Sequence, residues 1–255
     1  MIKLEELSFS YAGNEILDKI NLEFETGKIN TLIGTNGSGK TTLIKATSGI
    51  IENYRGRVVL NGKDIKTYSR KEVARIISVL PQSRNTPEIS VADFVEHGRY
   101  PHLGYSRIMS KDDMEIVKKA MQVCGIYEFR NRRLTSLSGG EKQKVYIAMI
   151  IAQDADIMFL DEPTTYLDIK AQLDIIRIIK DINQSGKTIV LVLHDLILAM
   201  NISNCIGILE KGRLVFYGTP HDAYESGYIT KLFGVQLGLI NNSDGKNSTY
   251  YITSN

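Results

Sequence analysis

One nine-residue stretch limits the fold of this chain more than any other feature. Residues 34–42, with the sequence GTNGSGKTT, match the spacing G-x-x-x-x-G-K-[ST] of a phosphate-binding P-loop. An apolar run at residues 29–33 precedes the loop, and a helical pattern at residues 41–47 follows it and ends near Gly49. A buried strand, a glycine-rich loop and a helix are the setting that this motif requires. The sequence therefore predicts a site for a nucleoside triphosphate, although the loop does not indicate how the energy is used.

The residue types in this loop suit a phosphate group. Glycines let backbone N–H groups turn inward without a Cβ in the way, and a helix start presents positive partial charge. The ammonium group of Lys40 would meet the β- and γ-phosphates, and the hydroxyl of Thr41 would reach Mg²⁺. The alternative, a glycine-rich turn with an ordinary surface lysine, does not account for the full motif in its required setting. The candidate binding residues of the loop are Asn36, Gly37, Ser38, Gly39, Lys40, Thr41 and Thr42.

Composition and charge narrow the classes of function. The 255 residues suffice for one large α/β domain or two small ones, and a hydrophobic content of 43% supplies a core. The net charge of 31 − 29 = +2 gives no electrostatic reason to expect nucleic acid as a partner. Cys124 and Cys205 lie far apart without a C-x-x-C motif, so we expect core residues rather than a disulfide or zinc site. Because no signal peptide or membrane-length apolar run is evident, we expect a soluble chain that reaches a membrane only through a partner.

The pattern along the chain predicts an α/β core with an antiparallel N-terminal part. Alternating apolar residues over positions 1–30 predict short antiparallel strands, and Asn61-Gly62 predicts a hairpin turn. A helical pattern over residues 91–152 indicates a helical insertion at about residues 85–155. Further expected elements are strands at residues 75–80 and 213–217, a short helix that ends at Phe233, and a turn at Asp244-Gly245.

A second helix start also suits a phosphate group. Ser138 and Glu141 have the S-x-x-E spacing of a capping box, which by itself predicts only a well-capped helix over residues 141–153. With Gly139 and Gly140, the same helix start can present bare N–H groups, which gives a second phosphate site as the sharper interpretation. Because one chain could hardly direct two such distant segments at one phosphate, a second chain is a natural source of this site.

Two predicted strands end in polar residues that suit catalysis. Residues 157–160 form an apolar run that leads into Asp161 and Glu162, at the strand end where active sites of parallel sheets collect. Asp161 can hold Mg²⁺, and Glu162 can orient or deprotonate a water molecule. Residues 188–193 repeat the arrangement and end at His194, which can hydrogen-bond a γ-phosphate and sense its loss.

Two other features allow more than one interpretation. Tyr11 follows the first predicted strand, where its ring could stack on adenine or pack locally. His97 and His102 invite a metal-site interpretation, but no acidic or cysteine partner lies at ligand spacing, so we expect none.

Taken in order, these motifs resemble the ATP-binding cassette family, in its nucleotide-binding subunits, over about residues 1–235. The resemblance implies an α/β P-loop NTPase core with a mainly parallel sheet, an N-terminal antiparallel β subdomain and an inserted helical subdomain. Residues 236–255 would form a short C-terminal extension. The implied activity is hydrolysis of ATP, with Mg²⁺, to ADP and phosphate.

The resemblance also assigns roles around the γ-phosphate. Glu162 would be the catalytic base, and His194 would act as the switch that senses the phosphate. Gln82 would sense the γ-phosphate, share in Mg²⁺ binding with Thr41 and Asp161, and couple the site to a membrane partner.

Other implied roles concern the adenine and a site shared between two chains. Tyr11 would stack on the adenine ring. Ser138, Gly139 and Gly140 would complete the ATP site of the opposing subunit, and Asp168, in Tyr166-Leu167-Asp168, would link the two sites of a homodimer.

A narrower resemblance concerns the transported cargo. The segments VLPQ at residues 79–82, HGRYPH at residues 97–102 and VLHDL at residues 192–196 are similar to those of importers of ferric siderophores, haem and cobalamin. The implied protein is the ATPase of such an importer, peripheral at the cytoplasmic face, with two permease subunits and an extracytoplasmic substrate-binding protein. One rival is a soluble cassette ATPase of translation or DNA repair, although the chain has one cassette and no long heptad run. Another is a small-molecule kinase, which Glu162 and the family's signature motif, LSGGEKQ at residues 137–143, disfavour.

Overall fold

The computed structural model describes residues 1–82, 86–105, 108–241 and 248–253, and the elements given below belong to these residues. The strands are β1 (Ile2–Tyr11), β2 (Asn14–Phe24), β3 (Ile29–Gly34), β4 (Arg55–Leu60), β5 (Lys63–Asp64), β6 (Ile77–Leu80), β7 (Ile157–Asp161), β8 (Thr188–Val192), β9 (Cys205–Glu210), β10 (Arg213–Gly218), β11 (Gln236–Asn241) and β12 (Ser248–Thr253). The helices are α1 (Lys40–Thr47), α2 (Arg70–Ile76), α3 (Val91–Glu96), α4 (Lys111–Val123), α5 (Gly139–Gln153), α6 (Ile169–Gln184), α7 (Leu196–Ile202), α8 (Pro220–Glu225) and α9 (Tyr228–Phe233). The chain divides into a first unit, Met1–Thr67 with Val190–Asn255, and a second unit, Tyr68–Ile189, so that β8 contributes residues to both.

The first unit begins with the predicted antiparallel strands. Strands β2, β1, β4 and β5 lie side by side in that order, with antiparallel pairing throughout. The turn between β4 and β5 has the left-handed pair Asn61 (φ 48°) and Gly62 (φ 81°), which confirms the predicted hairpin. Alternate residues of β1 and β2, such as Leu4 and Leu22, are buried, so this sheet has one apolar face.

A second set of strands in the first unit leads to the P-loop. Strand β3 is buried along its whole length and pairs in parallel with β9, which pairs antiparallel with β10. Burial on both faces explains why residues 29–33 form an unbroken apolar or neutral run. The chain leaves the carboxyl end of β3 at Gly34, and the loop delivers it into α1 at Lys40.

The second unit is mostly helical, with a short parallel strand pair. Strand β6 pairs in parallel with β7, and α5 packs against α3, α4 and α6. The prediction of a strand over residues 75–80 was wrong at its start, because α2 extends to Ile76 before β6 begins. The cause is a capping box in which Ser69 and Glu72 exchange hydrogen bonds and initiate the helix.

The HGRYPH segment holds the C-terminal end of α5. The Arg99 guanidinium donates to the carbonyl oxygen of Ala152 at 2.8 Å and to the Asp113 carboxylate at 2.9 Å. The His102 Nε2 lies 2.8 Å from the carbonyl oxygen of Gln153. These side chains therefore satisfy carbonyl groups that have no partner within the helix, and the positive charge of Arg99 suits a helix C-terminus.

The C-terminal part departs from one prediction. Two helices, α8 and α9, stand where one helix to Phe233 was expected, because Gly227 adopts φ 70° between them. Strands β11 and β12 pair antiparallel, whereas the turn predicted at Asp244-Gly245 lies outside the described residues. Within the described residues, every helix is too short or too polar to cross a lipid bilayer.

Candidate functional site

The side chain of Lys40 lies inside the P-loop. Its Nζ donates to the carbonyl oxygens of Gly34 at 2.9 Å and Thr35 at 3.0 Å, and lies 3.5 Å from Ser38 Oγ. Only 6% of Lys40 is exposed. The loop thus curves around a buried ammonium group, which places a full positive charge among its backbone groups.

The start of α1 differs from the starts of the helices that have a side-chain cap. Seven helices, α2 to α8, begin after a residue whose side chain accepts a backbone N–H of the first turn. Helix α1 begins after Gly39, which has no side chain to do so. The first turn of α1 therefore has no side-chain cap from the preceding residue, and an anion is the ligand that a helix N-terminus favours.

The loop glycines fit this role for two different reasons. A Cβ at Gly37 would meet no atom within 4 Å, so the loop there is open enough for a ligand. A Cβ at Gly34 would lie 2.3 Å from the carbonyl oxygen of Leu209, so only glycine permits that close approach. Together with the buried Lys40 ammonium, the donor set of the loop fits the phosphates of ATP.

Two further candidate residues lie in the first unit. Tyr11 is the last residue of β1 and is 72% exposed, next to the turn formed by Ala12 and Gly13. His194 is exposed and follows the end of β8. The Leu193 amide donates to the carbonyl oxygen of Leu32 at 3.4 Å, so the segment that carries His194 leaves the sheet beside β3.

Asp161 and Glu162 lie at the end of β7, in the second unit. Both are buried, with 2% and 8% exposure, and Glu162 has the left-handed backbone angle φ 52°. Such a conformation costs a non-glycine residue about 1–2 kcal/mol, a cost found most often where a side chain must be directed. The Glu162 carboxylate accepts a hydrogen bond from the Thr165 hydroxyl at 3.1 Å, which helps to fix its direction.

The predicted signature segment lies at the start of α5. Ser138 and Glu141 form the expected capping box, and the hydrogen bonds from the Ser138 backbone and hydroxyl lower the pKa of Glu141. The Gln143 amide donates to the carbonyl oxygen of Pro163 at 2.6 Å, which attaches α5 to the segment after Glu162. The signature and the acidic strand end are therefore held together within the second unit.

The start of α6 lies close to the start of α5. Asp168 caps α6 by accepting the Ala171 N–H at 2.8 Å, and a Cβ on Gly140 would lie 3.0 Å from the Ala171 Cβ. One surface groove is lined by Ser138, Gly139, Gly140, Tyr166 and Asp168 together. The structure thus brings these predicted residues together, with Tyr166 fully exposed. Gln82 is exposed beyond β6, also in the second unit.

One contact of the P-loop was missed by the sequence analysis. The backbone N–H of Gly212, in the turn between β9 and β10, donates to the carbonyl oxygen of Ser38 at 3.1 Å. A lysine-glycine pair between two apolar runs indicates a turn, but no local pattern shows that this turn meets a loop so distant in sequence.

The sequence matches the ABC transporter family over residues 17–165. It is 36% identical to the iron(3+)-hydroxamate import ATP-binding protein FhuC of Bacillus subtilis, over 94% of this chain and 90% of that protein. It is 37% identical to the ferric enterobactin transport ATP-binding protein FepC of Escherichia coli, over 92% of this chain and 88% of that protein.

A relative named for another cargo and a solved structure also match this chain over most of its length. The hemin import ATP-binding protein HmuV of Rhodococcus jostii is 33% identical, over 94% of this chain and 82% of that protein. An inward-facing, putative metal-chelate type ABC transporter has a chain that matches with a TM-score of 0.83 and 25% identity, over 99% of this chain and 97% of that one. On the family match, the coverage of these relatives and the shared fold, this chain belongs to the ABC transporter family, as an ATP-binding subunit.

Proposed function

We propose that this chain is the ATP-hydrolysing subunit of an importer of metal chelates. The observation that carries the proposal is the P-loop, where a buried lysine and an uncapped helix start form a site for phosphate. The names of the relatives supply the cargo class, since they import iron-hydroxamate, ferric enterobactin and hemin.

The first unit supplies most of the contacts to the nucleotide. Backbone N–H groups from Asn36 to Thr42 and the Lys40 ammonium would hold the β- and γ-phosphates. On binding, the ammonium would exchange its contacts with the loop carbonyls for charge-assisted hydrogen bonds to phosphate oxygens. The exposed ring of Tyr11 would stack on the adenine.

Hydrolysis requires a water molecule in line with the γ-phosphorus. Glu162 would take a proton from this water as its oxygen bonds to the γ-phosphorus, while the bond to the β–γ bridging oxygen breaks and ADP leaves. Gln82 would help to place the water, and His194 would donate a hydrogen bond to the γ-phosphate. Thr41, Gln82 and Asp161 would hold Mg²⁺, which neutralises charge on the phosphate oxygens.

We further propose that the active form is a homodimer with two shared sites. The groove at Ser138, Gly139 and Gly140 holds a helix start in the second unit and would receive the γ-phosphate of ATP bound by the partner. Asp168, at the edge of the same groove, would connect the two sites. ATP binding would close the dimer and hydrolysis would open it, which provides the domain motion for transport.

The dimer would act at the cytoplasmic face of the membrane, on two permease subunits that receive cargo from an extracytoplasmic substrate-binding protein. The test is growth of a strain that lacks the gene, with one chelate at a time as the source of metal or cofactor. Growth on a ferric siderophore, haem, cobalamin or an oxyanion metal should fail, and wild-type protein should restore it whereas Lys40→Ala should not. Normal use of all of these, with a defect in sugar or peptide uptake, would reject the cargo class. No uptake defect with full ATPase activity would favour a non-transport ATPase instead.

A further inference from the structure

Two segments from elsewhere in the first unit, strand β2 and the turn between β9 and β10, contact one side of the P-loop, which we call its rear side. We propose that Gly212, in the turn between β9 and β10, is a positioning residue that sets the direction of the Gly39 N–H toward bound phosphate. This inference rests on the proposed ATP site. The residues that make these contacts are Ile16, Leu17 and Gly212.

The direction of one peptide unit carries the argument. The Gly212 N–H donates to the Ser38 carbonyl oxygen at 3.1 Å, so that carbonyl points toward the β9–β10 turn. In a planar trans peptide, the carbonyl oxygen and the N–H of the next residue point in opposite directions. The Gly39 N–H therefore points away from the turn, and Gly39 is the residue that immediately precedes α1.

Strand β2 closes the same rear side by direct contact. A Cβ on Gly39 would lie 2.9 Å from both the Ile16 carbonyl oxygen and the Leu17 Cδ2. A Cβ on Gly212 would lie 2.5 Å from that same Ile16 oxygen. The Ile16 carbonyl thus sits between the two glycines, and neither can accept a side chain without displacement of β2 or of the loop.

Two bonds fix the turn against β2. The Asp18 N–H donates to the Gly212 carbonyl oxygen at 2.9 Å, and the Arg213 guanidinium donates to the Asp18 carboxylate at 2.7 Å. Gly212 is therefore bonded on both sides, to β2 through its carbonyl and to the P-loop through its N–H. Any shift of the turn is passed to the Ser38–Gly39 peptide unit.

The chain contains a matched control for this position. Gly212 has φ 80° after Lys211 at φ 47°, and Gly62 has φ 81° after Asn61 at φ 48°, each in a two-residue hairpin turn. A Cβ on Gly62 would meet no atom within 4 Å. Alanine at either position carries the same backbone strain, but only at Gly212 would it press on Ile16 and move the bond to Ser38.

The experiment compares Gly212→Ala with Gly62→Ala and wild type. Dissociation constants for MgATP are measured by calorimetry, and the shift of the Gly39 amide proton on MgATP addition by NMR, on protein shown to be folded by circular dichroism. Loss of one well-directed hydrogen bond predicts about threefold to tenfold weaker binding for Gly212→Ala, and a smaller amide shift. Gly62→Ala should keep both values, although it carries the same backbone strain.

Equal MgATP affinity in wild type and Gly212→Ala would overturn the inference, and so would an equal loss of MgATP affinity in Gly212→Ala and Gly62→Ala. Failure of the wild type to bind MgATP would instead reject the proposed function. If Gly212→Ala does not fold, Gly212→Asn is compared with Gly62→Asn, because asparagine tolerates positive φ at lower cost and still brings a Cβ against Ile16. Wild-type MgATP affinity in Gly212→Asn, or an equal loss of affinity in the two asparagine variants, would then overturn the inference.

Discussion

Replacement of Glu162 by glutamine should separate hydrolysis from folding and from nucleotide binding. Glutamine has the same length, and its amide oxygen can still accept the Thr165 hydroxyl, so the free energy of unfolding should change by less than about 1.5 kcal/mol. The loss of a general base should slow hydrolysis about 10²–10⁴-fold, which corresponds to about 2.7–5.4 kcal/mol in the activation barrier. The effect on rate should therefore exceed the effect on stability.

The structure offers a control glutamate for this substitution. Glu6 also has a left-handed backbone, with φ 50°, and its carboxylate is hydrogen-bonded by Asn21. Phosphate release, unfolding by denaturant and MgATP affinity are measured for Glu162→Gln, Glu6→Gln and wild type. Glu6→Gln should hydrolyse ATP at the wild-type rate, and Glu162→Gln should bind MgATP and accumulate as a dimer in size-exclusion chromatography. Unchanged phosphate release by Glu162→Gln would refute its role as the base.

Three further outcomes are expected. Hydrogen bonds from Ser110 and the Arg99 guanidinium lower the pKa of Asp113 to about 2. The ionised Asp113 carboxylate therefore stabilises the fold fully above the pKa of an unfolded aspartate, and this stabilisation is lost as pH falls through about 2. Thermal unfolding should show that Asp113→Asn destabilises the protein at pH 7 and that this difference shrinks between about pH 4 and pH 2. Tyr11→Ala should weaken ATP binding by about 1–3 kcal/mol while leaving tripolyphosphate binding unchanged by calorimetry, and equal losses for both ligands would contradict stacking. A heterodimer of a Lys40→Ala chain with a Gly139→Asp chain should occlude nucleotide in one site. A heterodimer of wild type with a chain that carries both substitutions should occlude nucleotide in neither site. The opposite pattern would show that Lys40 and Gly139 of the same chain form one site.

The features that local rules determine were predicted well. The capping box at Ser138 and Glu141, and the hairpin at Asn61-Gly62, depend on residues within one turn of each other. The apolar run of β7 and the uncharged run of β3 likewise indicate strands buried on both faces. These short-range signals placed the P-loop, the signature segment and the acidic strand end on their elements.

Features that depend on contacts between distant segments could not be predicted in this way. The Gly212 bond to Ser38 requires β9 and β3 to be neighbours, which no local pattern specifies. The left-handed backbone of Glu162 is invisible in the sequence, because glutamate there matches no turn preference. The start of β6 was misplaced because the apolar Ile76 suits either a helix end or a strand start, and the cap at Ser69 decides between them.

The most direct test of the account is the affinity of the purified chain for MgATP with and without the Lys40 ammonium. Charge-assisted contacts contribute about 1.5–3 kcal/mol each, so Lys40→Ala should bind MgATP at least about tenfold more weakly by calorimetry. Lys45→Ala, an exposed lysine on the same helix, provides the control and should bind as wild type does. Wild-type affinity in Lys40→Ala would contradict the assignment of residues 34–42 as the nucleotide site, and with it the proposed mechanism.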